Sequence, residues 1–253
     1  MIKSPKLFLI VQDETGMMPD AVEDLLKVYK DHFVGIMPAS PIWHVKKPLK
    51  AIQYTFNLFG VFEFLRIGFS QFFNRRTVAS VCRQYGIEPQ PYLSPNSTEF
   101  RDILTQSGVD ILISYGCPII IGKKTLGVPR LSSINVHGSY LPDFKGTYTV
   151  FYAMLRGSQR TGATVHRMST EVDTGDYYYR EQIPISYSGA NRDTLLGLYK
   201  KVERLGTALL LKTLQDACDG QLVSDPMPSG GESVTFPRWQ DGVEFRRKGL
   251  KYR

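Results

Sequence analysis

The first forty residues restrict the fold more than any other stretch. Leu7 to Val11 is an unbroken apolar run, the composition of a parallel strand buried on both faces. Pro19 and an Asp20-x-x-Glu23 pair follow and read as a capping box. Val22, Leu25, Leu26 and Tyr29 then recur at helical spacing. Phe33 to Met37 reads as a second strand, which completes a βαβ unit and implies an α/β fold. The linker Gln12-Asp13-Glu14-Thr15-Gly16 is acidic and holds one glycine, so no nucleotide phosphate is expected to be cradled there.

Later elements extend this sheet. Thr77 to Tyr85 reads as a helix stopped by Gly86, followed by a short strand at Gln90 to Leu93. Asn96 to Glu99 offers capping residues for a helix through Leu104, and Ile111 to Ile113 is a core strand. Ser114 to Pro118 places a loop at that strand's carboxyl end, where open parallel sheets bind ligands. Phe151 to Leu155 is expected to be helical. Asp193 to Leu214, with Leu195, Leu198, Val202, Leu205 and Leu209, reads as a long amphipathic helix. The division expected is a catalytic domain over 1–222, with a helical insertion at 38–76, and a basic extension over 223–253 that ends RRKGLKYR. The insertion is strongly aromatic (Phe56, Phe59, Phe62, Phe64, Phe69, Phe72, Phe73). It suits either an interfacial helix or a helix packed on the core or on a second subunit.

The chemistry concentrates between Asn135 and Gly175, which read INVHGSYLPDFKG and then GATVHRMSTEVDTGD. Ser132 to His137 has the composition of a short strand. Side chains alternate along a strand, so Asn135 and His137 project from one face, about 7 Å apart. Gly138 to Gly146 reads as a loop. Asp173 lies in a second loop, after a strand-like run from Ala163 to Met168. An amide, an imidazole and a carboxylate on adjacent loops suit acyl transfer, since the first two can stabilise an oxyanion and the third can tune the imidazole or take a proton. His166, in mid-strand, reads as structural or as a support behind the catalytic side chains. Ser139 reads as a residue that fixes the loop backbone, because no base lies at a suitable spacing.

Composition narrows the remaining choices. A chain of 253 residues can bury a sizeable core. Its formal charge of +7 suits anionic partners such as a nucleotide, RNA, a polyglutamylated cofactor or a membrane surface, or simply a solvated basic surface. Cys82, Cys117 and Cys218 lack metal-ligand spacing, so reduced thiols and a cytoplasmic location are expected. The five-residue apolar run near the start is too short for a signal peptide, and no stretch approaches a membrane span.

Asn135-x-His137-x-Ser139-x-Leu141-Pro142, Gly146, Gly162-x-Thr164-x-His166 and Asp173-x-Gly175 together resemble the signature of the formyltransferases that use 10-formyltetrahydrofolate. The likeness covers roughly Ile111 to Ile185 well. It implies a Rossmann-like, open, mostly parallel sheet flanked by helices, with a short C-terminal appendage. It also implies catalytic roles for Asn135, His137 and Asp173, with His137 an imidazolium whose pKa is raised by Asp173. The folate pocket would be walled by Gly116, Pro118, Ile119, Ile121 and Leu126, the later ones at the start of a helix, and by Thr170, Glu171 and Val172. Ser139, Asp143, Lys145, Gly146 and Tyr148 would meet the amine acceptor. No metal is implied. The lack of a glycine-rich turn after the first strand departs from the glycinamide ribonucleotide branch. The short basic tail is too small for the RNA-binding barrel of the methionyl-tRNA branch. The acceptor expected is therefore an amino sugar, nucleotide-linked. RNA, a homodimer and a non-catalytic folate-binding role stay open.

Overall fold

The computed structural model describes residues 4–39 and 76–253. The aromatic insertion expected at 38–76 lies outside the described residues except at its ends. In chain order the elements are β1 (Leu7–Gln12), α1 (Met18–Tyr29), a 3-10 turn (Lys30–His32), β2 (Phe33–Ala39), α2 (Val78–Gln84), α3 (Thr98–Ser107), β3 (Ile111–Tyr115), α4 (Lys123–Leu126), β4 (Ser132–His137), β5 (Phe144–Gly146), α5 (Thr149–Leu155), β6 (Arg160–Arg167), β7 (Tyr177–Pro184), α6 (Leu195–Cys218), β8 (Glu232–Val234) and α7 (Trp239–Arg247).

The main sheet runs β2-β1-β3-β4-β6-β7. Its first four strands are parallel, while β6 and β7 join antiparallel. The apolar runs of β1 and β3 are buried because the sheet is covered on both faces. Alternation divides their side chains. Leu7, Leu9, Val11, Ile111, Ile113, Tyr115 and Val136 join the core built with α1 and α6. Phe8, Ile10 and Leu112 join the opposite core, where Phe8 meets Phe100 of α3 edge to face at 5.4 Å.

Several local expectations change in the folded chain. Asp20 and Glu23 do not cap α1. Pro19 stands at its first turn and the carboxylate of Glu14 accepts from the Met17 and Met18 N–H groups, which leaves both acids to bind Arg76. Gln90 to Leu93 is not a strand. Pro89 and Pro91 remove alternate donors, and the segment is tied down by Gln90 N–H on the Ile36 carbonyl and Leu93 N–H on Met37 Sδ. Residues 118–121 are loop, because the helix starts only at Lys123 after Gly122. The stretch from Gly138 to Gly146 is not all loop, since β5 pairs in parallel with β8. The residues after Pro226 are likewise more than extended chain. Val234 and Phe245 are buried, and the Phe245 ring stacks on Phe151 at 4.9 Å. β7 carries no clean alternation to announce it and forms by pairing with β6.

Candidate active site

The end of β4 presents Asn135 and His137 on one face, as strand alternation requires. Antiparallel pairing with β6 sets His166 directly opposite Asn135 and Thr164 opposite His137. Asn135 Nδ2 lies 3.1 Å from His166 Nε2. His166 Nδ1 donates to the Arg167 carbonyl at 2.9 Å, and Nε2 stands between the Asn135 amide and the Asp173 carboxylate. His166 is therefore more than a strand residue. It joins Asn135 to Asp173, whose Oδ1 is 3.4 Å away.

His137 is held by both ring nitrogens. Nε2 donates to the Phe144 carbonyl at 3.0 Å, and Nδ1 faces Asp173 Oδ2 at 3.5 Å. Burial lowers the His137 pKa below its usual value and outweighs the upward pull of Asp173. Burial thus favours the neutral imidazole, while the acceptors facing both ring nitrogens favour the protonated one. Asp173 remains ionised. Burial pushes its pKa up, but His137, His166 and the Gly146 N–H, which donates to Oδ2 at 2.7 Å, together bring it down to about 2. Asp173 holds this position with φ 55°, a left-handed conformation that aspartate tolerates better than most side chains. Ser139 is buried and donates to the same Phe144 carbonyl at 2.6 Å, so it braces the loop that holds His137.

These groups open onto a cavity of about 590 Å3, a size suited to small ligands. It wraps around the carboxyl edge of β3 and β4 and so has two walls. One wall contains Gly116, Pro118, Ile119 and Ile121 on one side and Glu171, Val172 and Asp173 on the other. Leu126 and Thr170 do not line it: Leu126 packs against the core beneath and Thr170 is exposed. The second wall contains Gly146 and Tyr148, together with Glu14, Met18, Tyr199, Glu203, Phe236 and Tyr252. Ser139, Asp143 and Lys145 are not among the lining residues. Asp143 and Lys145 belong instead to the seam with β8, where the Asp143 carbonyl accepts from Glu232 N–H at 2.9 Å.

Sequence reasoning allowed His166 a supporting place behind the site but missed Glu14, Tyr199, Glu203, Phe236 and Tyr252 as cavity residues. The position of His166 opposite Asn135 follows from strand register, which the pairing decides. The others reach the cavity from separate segments and carry no local signal. Among the described residues, no group of three or more His, Cys, Asp and Glu side chains could hold a metal ion. No described helix is long and apolar enough to cross a membrane.

Residues 68–214 match the family described as Formyl transferase. The chain is 31% identical over 156 residues to the methionyl-tRNA formyltransferase of Pseudoalteromonas translucida, covering 60% of this chain and 47% of the relative. It is 32% identical over 164 residues to that of Listeria monocytogenes, covering 63% and 50%. The chain spans about half the length of the curated relatives it matches. Its fold resembles an N-formyltransferase from Helicobacter canadensis, solved with folinic acid and dTDP-3-aminofucose, at TM-score 0.61 and 17% identity over 91% of this chain and 71% of that one. It also resembles a phosphoribosylglycinamide formyltransferase from Anaplasma phagocytophilum, at TM-score 0.63 and 16% identity over 92% and 98%.

Proposed function

Because the chain belongs to the formyl transferase family, we propose that it moves a formyl group from 10-formyltetrahydrofolate to a primary amine. The observation that carries this reading is the ionised Asp173 set between two imidazoles at the point where the two cavity walls meet. In this reading 1–222 is the catalytic unit and 223–253 an extension that adds Phe236 and Tyr252 to the acceptor wall.

The proposed steps balance as follows. The neutral amine attacks the formyl carbon, a C–N bond forms, and the carbonyl electrons move to oxygen. The Asn135 amide N–H not engaged by His166 donates to that oxyanion, a contact of about 3 kcal/mol when present only in the transition state. In the neutral form that burial favours, His137 takes the proton from the attacking nitrogen, and Asp173 stabilises the imidazolium so formed. The proton then passes to N10 as the old C–N bond breaks, giving the formamide and tetrahydrofolate. No metal enters these steps.

The acceptor we favour is an amino sugar carried on a nucleotide. Support comes from the acidic turn after β1, the aromatic side chains of the second wall, and the fold likeness to a protein solved with dTDP-3-aminofucose. Sequence identity to methionyl-tRNA formyltransferases favours charged tRNA as the second reading. Assays of formyl transfer to a panel of nucleotide amino sugars and to charged initiator tRNA separate the two. Transfer to the tRNA alone would remove the sugar reading and leave the chemistry standing. Folate binding with no transfer to any amine would leave a non-catalytic folate-binding protein.

A further inference from the structure

One group on the acceptor wall lacks what buried polar groups ordinarily have. Glu203 lines the cavity from α6, and its Oε1 is buried with no hydrogen-bond partner. It is held there by close packing. Gly206, one turn on, lets α6 lie so near the sheet that an added Cβ would stand 2.9 Å from Val136 Cγ1. The Tyr115 hydroxyl donates to the Glu203 backbone carbonyl at 3.0 Å, which fixes this turn of the helix. Burial, opposed by Tyr115 and helped by the charge of Glu14, pushes the Glu203 carboxyl up to about 7. A buried carboxyl oxygen without a donor is costly, and a ligand that supplies the donor recovers that cost on binding.

Among the described residues, the same end of the cavity offers phosphate no seat. The N–H groups at the start of α1 are an anion site in principle. Here Glu14 Oε2 accepts from Gly16 at 2.8 Å and Oε1 accepts from Met17 at 2.5 Å and Met18 at 2.6 Å, so the chain's own carboxylate fills it. None of the described lining residues is lysine or arginine. Tyr148, Tyr199 and Phe236 complete the wall with aromatic faces.

We propose that this end of the cavity is a subsite for the unphosphorylated, hydrogen-bond-donating part of the acceptor, and that Glu203 is the residue that reads it. The donors are hydroxyls or a second, protonated nitrogen, and any phosphate of the acceptor lies away from Glu203. The inference rests on the formyl-transfer reading and adds the chemical class that one half of the site accepts.

Calorimetry on the full chain tests it with three probes: glucosamine for hydroxyl donors, 1,4-diaminobutane for ammonium donors, and glucosamine 6-phosphate. Glucosamine or the diamine is expected to bind at least about tenfold more tightly than the phosphate ester, and which of them does so assigns the donor. Glu203→Gln, equal in shape, should weaken that probe about tenfold while its thermal midpoint stays level or rises. Glu203→Ala should weaken it at least as much. Equal or tighter binding of the phosphate ester, unchanged affinity in both variants, or no binding of any probe overturns the proposal. A separate titration with 5-formyltetrahydrofolate reports on the formyl-transfer reading alone, so failure of one is not failure of the other.

Discussion

The two walls of the cavity are built in different ways. The first wall comes from two nearly continuous segments, Ser114 to Ile121 and His166 to Asp173, at strand ends of the main sheet. The second wall, the one proposed for the acceptor, is collected from five places: Gln12 to Met18, Gly146 to Thr149, Leu195 to Gly206, Phe236 and Tyr252. The C-terminal residues reach it because the carbonyls of Lys251 and Tyr252 accept from the Leu195 and Leu196 N–H groups, each at 2.9 Å, and so satisfy the open start of α6. Phe236 is placed by its ring contact with Tyr148, 5.3 Å between centroids. A wall made of strand-end loops is fixed by the sheet, whereas a wall made of distant pieces is fixed by how the chain closes on itself. The first suits a cofactor common to a family and the second an acceptor particular to one chain.

Substitutions where the walls meet have the largest expected effect. Asp173→Ala or His137→Ala should lower turnover by roughly a hundredfold or more, with circular dichroism unchanged. Near-normal turnover of the His137 variant with a proven acceptor would discard its role as base.

Acid should reach the same seam. The Asp173 pKa is lower folded, at about 2, than its ordinary 3.8, so its contribution is full above 3.8 and is lost as pH falls toward 2. That shift is worth about 2 kcal/mol. His137 adds to it, since its folded pKa lies below 6.5 and the unfolded chain therefore binds more protons as pH drops through that value. Denaturant titrations at descending pH should show stability falling in both windows, and a flat profile between pH 4 and 2 would contradict the geometry around Asp173.

The next test separates the walls. Val172 is 45% exposed on the donor loop, so Val172→Asp should leave the thermal midpoint in place. It should raise KM for the folate about tenfold and leave that of the acceptor unchanged. The smallest effect belongs to the opposite wall. Tyr252→Ala should raise acceptor KM by roughly three- to fivefold, the loss of one half-exposed aromatic contact, without touching folate affinity. If either variant shifted both constants equally, the two walls would not be separate subsites.

Much of the framework is legible in local sequence. The apolar run at Leu7 to Val11, the helical spacing of Leu195, Leu198 and Val202, and the capping serine at Ser97 are local facts, and each produces its element. The meeting of Asn135 with His137 on one face follows from the two-residue period of a strand. Asp173 beside them is legible only through a resemblance of motif, because the long intervening chain carries no period that would bring it there.

What the sequence by itself determined is the βαβ frame, the loops at the carboxyl edge and the residue types set upon them. Tertiary structure decided the rest. Burial, a property of the whole fold, outweighs the pull of Asp173 and lowers the His137 pKa. Register between β4 and β6 brings His166 to Asn135. Closure of the C-terminal segment supplies Phe236 and Tyr252 to the acceptor wall, and the approach of α6 to the sheet strands Glu203 without a partner for Oε1. The reason is range. Propensity and periodicity act over a few residues, while desolvation and charge depend on which distant segments exclude water from the same few ångströms.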